Sequence, residues 1–152
     1  MVCVSKKVIR CPTGFYFKIE KDSAGYQILL FDKSNRKCRG KKPEDIGYIF
    51  LQRIYENEYE THSNLDDKYH GKGLGSLLYA KAISFALKNN FKVMSYDCPS
   101  IEAENVWTYS RLLRNNFNIR RRKDSRFGNI YYRFHATKKT IRKNKCNSIK
   151  GS

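Results

Sequence analysis

Three closely spaced glycines stand between a β-rich segment and an apolar helical pattern, within residues 65–76. Glycine lets the backbone turn tightly and approach a ligand closely. The first turn of a helix adds unpaired N–H groups and the positive end of the helix dipole. A glycine loop that runs directly into a helix is therefore typical of a phosphate site. We predict such a site at residues 71–76, with a glycine-rich turn that binds nothing as the alternative.

Two common phosphate-binding motifs do not match this spacing. Gly71, Gly73 and Gly75 lack the G-x-G-x-x-G order of a dinucleotide site, because Ser76 stands where the third glycine belongs. The chain also has no G-x-x-x-x-G-K-[ST] motif of a P-loop. The spacing therefore argues against both of these nucleotide sites.

The segment Tyr-His-Gly-Lys-Gly-Leu-Gly-Ser at residues 69–76 resembles the [RQ]-x-x-G-x-[GA] signature of the GNAT superfamily of N-acetyltransferases. In that family, this loop and a β-bulged strand before it bind coenzyme A. Leu65 and Asp66 resemble the hydrophobic-Asp pair that ends the strand. The departure is His70, which stands where Arg or Gln is usual. Histidine can donate to a pyrophosphate oxygen, but its charge depends on pH.

The resemblance implies acetyl-coenzyme A as the cofactor. By that resemblance, the backbone N–H groups of residues 71–75 and the Ser76 hydroxyl hold the pyrophosphate, while main-chain groups near Leu65 pair with the pantetheine arm. Asn105 matches the asparagine of the family's N-x-x-A pattern on the second helix. The predicted cofactor-binding residues are Leu65, His70, Gly71, Lys72, Gly73, Leu74, Gly75, Ser76 and Asn105.

Acetyl transfer needs a neutral amine, a polarised thioester carbonyl and a proton for the departing thiolate. The resemblance implies a base on the fourth strand and a tyrosine acid on the second helix. The strand position that often carries the base falls on Tyr59, whereas Glu58, Glu60 and His62 lie one residue away. A β-bulge in this strand would turn them inward. We predict Glu58 and Glu60 as catalytic residues, with a solvated acidic strand face as the alternative.

The tyrosine acid has only a displaced counterpart. Leu112 occupies the family's tyrosine position, and Asn116 occupies the glycine position before Phe117. Tyr109 lies one turn earlier on the same helix face. We predict Tyr109 as the acid, with a core or surface aromatic beside Trp107 as the alternative.

Hydrophobic periodicity predicts the elements that position these residues. The predicted order is strands at 14–19, 26–31, 46–55 and 56–65, a helix from 74 to about 89, a strand at 91–98, a helix from 100 to about 115, and a hairpin of 117–123 and 127–135 around Asp124 and Ser125. This order predicts an α+β fold. The resemblance implies a mixed central sheet of about six or seven strands, with the antiparallel meander first, two principal flanking helices, and short or absent N-terminal helices.

Composition indicates a folded, strongly basic chain. Its 152 residues, 40% hydrophobic and 30% charged, fit one domain, which we place at residues 1–136 before a basic, flexible tail at 137–152. No apolar run approaches the roughly 20 residues of a membrane helix. The five scattered cysteines lack metal-site or redox spacing. We predict a cytoplasmic protein without a metal site or a membrane partner.

The predicted function is transfer of acetyl from acetyl-coenzyme A to a primary amine by a monomer or homodimer. A protein lysine or N-terminus is modestly preferred over small amines, because residues 20–25 are too few for the helices that wall the acceptor site in the family. The formal charge of +17 favours polyanionic partners. The rival hypothesis is a non-catalytic basic module that binds nucleic acid or ribosome through residues 120–123 and the C-terminal tail, with stacking by 130–134.

Overall fold

The computed structural model describes residues 2–4, 9–34 and 44–142. The elements are β1 (Val2–Val4), β2 (Phe15–Asp22), β3 (Gly25–Asp32), β4 (Gly47–Tyr55), β5 (Glu58–Leu65), a 3₁₀ turn (Asp67–Tyr69), α1 (Leu74–Lys88), β6 (Lys92–Ser95), α2 (Ile101–Tyr109), α3 (Arg111–Asn116), β7 (Phe117–Arg126), β8 (Asn129–Lys138) and β9 (Thr140–Arg142). Within these residues, seven strands form one mixed sheet in the order β2-β3-β4-β5-β6-β8-β7, and β1 pairs separately with β9. The predicted α+β fold with a mixed sheet is confirmed.

The N-terminal half is an antiparallel meander from β2 to β5. A tight turn joins β2 to β3, where the Asp22 carboxylate accepts hydrogen bonds from the amides of Ala24 and Gly25 at 2.7 and 3.0 Å. This turn leaves no room for a helix between the two strands, as the sequence predicts. Most of the predicted 33–45 loop lies outside the described residues.

The helix α1 covers the sheet because its apolar residues recur at helical spacing. Leu74, Leu77, Leu78, Ala82 and Ile83 are buried against the sheet, where Ile28, Leu30, Ile49 and Leu51 are fully enclosed. Burial of each large side chain contributes about 1.5–3 kcal/mol. The helix ends at Lys88, and Asn90 beyond it adopts a left-handed φ of 62°. The expected apolar face of this helix is confirmed.

The parallel strands β5 and β6 separate after four residue pairs. Their pairing runs from Glu58 opposite Lys92 to Thr61 opposite Ser95, where β6 ends, while β5 continues to Leu65. Residues 62–65 therefore present an edge that has no strand partner on the β6 side within the described chain. The register irregularity expected in β5 lies instead in β4, between Arg53 and Tyr55, so that prediction is corrected.

Three predicted boundaries in the C-terminal half are wrong. The second helix breaks at Ser110, whose hydroxyl caps a new helix by accepting from the Leu113 amide at 3.3 Å. The strand predicted at 91–98 spans only Lys92–Ser95. The hairpin turns at Phe127 and Gly128, not at Asp124. Both turn residues have positive φ, 52° and 79°, as a two-residue type I′ turn requires.

The predicted tail boundary also needs correction. The strand β8 runs to Lys138, and Thr140–Arg142 pairs with Val2–Val4. The chain therefore keeps regular structure beyond residue 136. Residues 143–152 of the predicted tail lie outside the described residues. None of the helices in the described ranges has the length and apolar character needed to span a membrane.

Candidate active site

A cleft of about 550 Å³ opens between the free edge of β5, the first turn of α1 and the start of α2. Six of the nine predicted cofactor-binding residues line it: Leu65, His70, Gly71, Gly73, Gly75 and Ser76. The N-cap Ser100 and the α2 residues Glu102, Ala103 and Val106 also line it. The structure therefore gathers the strand end, the glycine loop and the helix start around one space.

The glycine loop has its shape for backbone reasons. Gly71 and Gly73 have φ values of 77° and 76°, which side chains of L residues rarely tolerate. A Cβ at either position would meet no atom within 4 Å, so packing against the chain does not exclude it. At Gly75, a Cβ would approach only Val106 Cγ2, at 4.0 Å. The loop thus exposes its backbone to open space in the cleft.

The first turn of α1 has amides without side-chain partners. The helix begins at Leu74 after a left-handed Gly73, and no side chain within the described chain caps it. The Leu77 amide is the first to bond back, to the Gly73 carbonyl at 3.1 Å. The first turn contains no acidic residue that would repel an anion. An anion at such a helix start gains about 0.3–1 kcal/mol from the dipole alone.

Two contacts hold the glycine loop in place. The buried Tyr69 donates its hydroxyl to Asp32 at 2.8 Å, which ties the 3₁₀ turn to the end of β3. Hydrogen bonds from Ser34, and to a lesser extent from Tyr69, lower the pKa of Asp32. Burial is the main cause that raises the pKa of Tyr69, and the hydrogen bond to Asp32 raises it further. His70 Nε2 donates to the Leu65 carbonyl at 2.8 Å. His70 was expected to donate to a pyrophosphate oxygen, whereas its Nε2 is used within the loop.

Besides Glu58 and Glu60, four predicted site residues do not line the cleft: Lys72, Leu74, Asn105 and Tyr109. Leu74 is buried in the core, and the Lys72 ammonium lies 5.6 Å from the centre of the Tyr69 ring. Asn105 is exposed, and Tyr109 is 74% exposed at the end of α2. The structure does not bring Asn105 or Tyr109 to the cleft because α2 turns Ala103 and Val106 toward it instead.

A second cavity of about 180 Å³ lies deeper, where β5 and β6 separate. His62, Ser63, Tyr79, Tyr96 and Trp107 contribute to its lining. Tyr79 and Ser63 share a hydrogen bond of 2.7 Å between their hydroxyl oxygens. Burial raises the pKa of Tyr79, and hydrogen bonds with Ser63 and then Thr61 oppose that shift. This cavity places neutral hydroxyl groups beside an imidazole.

The two predicted carboxylates have different surroundings. Glu58 is partly exposed and lies 3.8 Å from the Lys92 ammonium, as expected of a solvated strand face. Glu60 is only 3% exposed. Its Oε1 accepts from His62 Nε2 at 3.0 Å, and its Oε2 lies 3.6 Å from Arg133 Nη1. The solvated-face alternative is thus wrong for Glu60, which holds His62.

The Glu60 interactions continue across the sheet. Arg133 Nε lies 3.3 Å from Asp124 Oδ2, and that oxygen also accepts from His135 Nε2 at 3.2 Å. Burial lowers the pKa of His135, while Asp124 opposes the shift. The result is a line of alternating groups, His62, Glu60, Arg133, Asp124 and His135, which we call the ion-pair chain. Within the described residues, no cluster of His, Cys, Asp or Glu could hold a metal ion.

Sequence analysis assigned no role to two buried aromatic residues of the inner cavity, Tyr79 and Trp107. Tyr79 stands in a helical run where Leu78 and Ala80 are apolar and buried. A tyrosine in such an apolar run could have indicated a polar site in the core, because a buried hydroxyl needs a hydrogen-bond partner. Trp107 was considered only as a neighbour of Tyr109, although it is fully buried. The cavity therefore combines residues from three separate elements.

No protein-family model matches the sequence, and no curated protein matches it either. Several solved acetyltransferase structures are similar to the chain. One is a ribosomal-protein-S5-alanine acetyltransferase from Vibrio fischeri, at 17% identity, covering 78% of this chain and 62% of that chain, with a TM-score of 0.47. A second is a spermidine N-acetyltransferase from Vibrio cholerae in complex with CoA and spermine, at 15% identity, covering 76% and 67%, with a TM-score of 0.48.

A third is an acetyltransferase of the GNAT family from Streptococcus pneumoniae, at 15% identity, covering 74% of this chain and 66% of that chain, with a TM-score of 0.46. The chain thus spans 62% to 67% of the length of these three proteins.

Proposed function

We propose that the chain is a GNAT-type N-acetyltransferase that transfers acetyl from acetyl-coenzyme A to a primary amine. One observation carries this proposal. A single cleft has the uncapped first turn of α1 at one end and the unpaired edge of β5 at the other. The first feature suits a diphosphate, and the second suits an amide-bearing arm that adds to the sheet as a strand does.

The residues present fit the coenzyme. The amides of residues 71–76 hold the diphosphate, and the open space around Gly71 and Gly73 lets it approach the backbone. Main-chain groups of residues 62–65 pair with the pantetheine arm. When bound, the coenzyme supplies an acetyl group activated as a thioester. The chain's own part is to orient that group and to move protons.

His62 is the group best placed to take the amine proton. It lines the inner cavity, and one ring nitrogen is occupied by Glu60. When Nε2 carries the hydrogen donated to Glu60, Nδ1 has the lone pair that a base needs. Glu60 itself is buried and shared with Arg133. In this proposal His62 is the base, Glu60 is a positioning residue, and Glu58 has no catalytic part.

A protein amine is the acceptor class that we favour. Only a tight turn separates β2 from β3, so no helix walls the sheet at that point. An open approach suits a side chain or an N-terminus that projects from a larger surface.

Cys11 and Cys98 are free thiols, in keeping with the cytoplasmic location expected from the sequence.

The test is coenzyme binding and turnover in two matched glycine variants. Gly73 and Gly128 have nearly equal φ values, 76° and 79°, and a Cβ at either would meet nothing within 4 Å. Gly73→Glu and Gly128→Glu therefore carry similar backbone strain, but only the first puts a carboxylate in the cleft. We expect Gly73→Glu alone to abolish acetyl-coenzyme A binding in calorimetry and thiol release with a lysine peptide, an N-terminal peptide, spermidine or an amino sugar. Equal binding by both variants would refute the proposal.

A specific observation keeps the rival function open. Arg120, Arg121, Arg122 and Lys123 are exposed on β7, which is an edge strand of the sheet. The Arg121 guanidinium also lies 5.4 Å from the centre of the Tyr132 ring, and Tyr132 is itself exposed. Cations interleaved with aromatic rings suit a single-stranded nucleic acid. Binding of nucleic acid without turnover of any amine would favour this rival.

A further inference from the structure

Tyr79 occupies the junction of the two cavities. It lines both the outer cleft of about 550 Å³ and the inner cavity of about 180 Å³. The ring packs edge-on against Trp107 at 5.7 Å between centroids, and the hydroxyl is fixed by Ser63 at 2.7 Å. The phenol is thus buried and oriented at the junction of the two cavities.

A second, independent observation points to a ligand there. Trp107 lines the inner cavity and is 0% exposed, yet its indole Nε1 has no hydrogen-bond partner within the described chain. A buried N–H without an acceptor costs about 1–3 kcal/mol. Such a group is accounted for when a bound molecule supplies the acceptor atom. A residue that lines the cavity therefore carries a donor without a partner in the described chain.

We propose that Tyr79 is the proton donor to the coenzyme sulfur, and that the acid of this enzyme comes from α1. The inference rests on the proposed function. An arm that follows the β5 edge from Leu65 toward Thr61 ends where β5 and β6 meet, which is the position of Tyr79. The tyrosine predicted from the sequence, Tyr109, is exposed and lines neither cavity.

The proton balance closes with groups that the chain supplies. Tyr79 Oη gives its proton to the sulfur as the carbonyl–sulfur bond breaks. The amine nitrogen meanwhile forms its bond to the acetyl carbon and loses a proton to His62. Ser63 then passes a proton from cleft water to Tyr79, and His62 releases its own to solvent. The net change moves one proton from the amine to the thiol.

The surroundings suit a donor that stays protonated between turnovers. Burial raises the pKa of Tyr79, so the phenol keeps its hydrogen at neutral pH. Ser63 is exposed toward the outer cleft and can act as donor to the phenol oxygen. In that arrangement Tyr79 retains its own hydrogen for the ligand, and Ser63 connects it to water.

The test compares Tyr79→Phe with Tyr109→Phe, which are chemically identical changes. We expect Tyr79→Phe to lower kcat by about 10²-fold or more, with the KM for acetyl-coenzyme A unchanged, and Tyr109→Phe to leave kcat unchanged. A readout without turnover is the pKa of the thiol of bound coenzyme A, followed by thiolate absorbance. A hydrogen bond from Tyr79 favours the thiolate, so this pKa should be higher in Tyr79→Phe than in the parent.

Ser63→Ala gives a second route to the answer, because Ser63 is exposed and its loss does not open the core. It should also lower kcat, and the double variant with Tyr79→Phe should lose no more than Tyr79→Phe alone. Equal thiol pKa values in the parent and Tyr79→Phe, or an equal loss of kcat in Tyr109→Phe, would overturn this inference but not the proposed function. A parent chain that fails to bind coenzyme A would overturn the proposed function together with this inference.

Discussion

At the scale of single residues, the role of each side chain in the site depends on the hydrogen bonds and ion pairs that it already makes. Glu60 was predicted as a catalytic residue, with a solvated strand face as the alternative, but it is buried between His62 and Arg133. Removing one partner from such a buried pair leaves an uncompensated charge, which costs several kcal/mol. The ion-pair chain therefore fixes Glu60 in place and turns it into a support for His62.

His62→Gln tests the base directly. The variant keeps a polar group beside Glu60 but has no basic nitrogen, so kcat should fall by about 10²- to 10⁴-fold. Affinity for acetyl-coenzyme A in calorimetry should stay at the parent value. His135→Gln is the matched control, since His135 belongs to the same ion-pair chain but does not line the inner cavity. Full turnover by His62→Gln would show that another group takes the proton.

His135 should make the fold sensitive to acid. Burial lowers its folded-state pKa below the ordinary value of 6.5. Its contribution to stability is therefore complete above pH 6.5 and is lost as the pH falls through the folded value. We expect Tm to fall less steeply in His135→Gln than in the parent between pH 7 and 5. The two curves should run parallel above pH 7; parallel curves at all pH values would contradict this assignment.

At the scale of elements, the sequence predicted those features whose conformation depends on residues that are neighbours in the chain. The β2–β3 turn, the apolar face of α1 and the glycine loop each depend on neighbouring residues, and all three lie where the sequence indicated. The β7–β8 turn depends on tertiary contacts. Asp124 has the composition of a turn residue, yet its carboxylate binds Arg133 and His135 across the hairpin, which keeps it in a strand.

The inner cavity escaped prediction for the same reason. Its polar groups come from Ser63 on β5, Tyr79 on α1 and Trp107 on α2, and no spacing within one element connects them. The glycine loop, by contrast, is one continuous segment, and its glycines indicate its backbone conformation. The break at Ser110 was missed because the apolar spacing continues through Leu113 into α3.

Gly75 gives a test of stability and binding at the first turn of α1. Alanine in a helix is favoured over glycine by about 0.5–1 kcal/mol, and a Cβ at Gly75 would touch only Val106 Cγ2 at 4.0 Å. We therefore expect Gly75→Ala to have a higher Tm in thermal unfolding and the parent's affinity for coenzyme A, because the signature that residues 69–76 resemble accepts alanine at this position. Gly75→Glu, which brings a carboxylate into the cleft, should lose coenzyme A binding in calorimetry. Equal affinity in Gly75→Glu and the parent would mean that the coenzyme does not approach this turn.

At the scale of the whole molecule, the proposed function gives the charge of +17 two roles that need no nucleic acid. The cations at residues 120–123 lie on an edge strand, where charged side chains discourage pairing with another sheet. A basic surface also raises the encounter rate with an anionic coenzyme. Both roles fit an enzyme with an open cleft.

Salt dependence distinguishes these roles from the rival function. The association rate constant of acetyl-coenzyme A should fall on the order of tenfold from low to physiological ionic strength, measured by stopped flow. Pantetheine, which lacks the phosphates, should show no such change. If RNA retardation in gels weakens steeply with salt and disappears in Arg120→Gln/Arg122→Gln, the basic strand serves nucleic acid instead.

The most direct test of the central claim is a titration of the ¹⁵N-labelled chain with coenzyme A, followed by backbone amide chemical shifts. The account predicts that the largest shifts fall on the amides of residues 71–76, and that pantetheine leaves those amides unmoved. The same amides should stay in place in Gly73→Glu and respond as in the parent in Gly128→Glu. Saturating coenzyme A that leaves residues 71–76 unshifted in the parent would contradict the account.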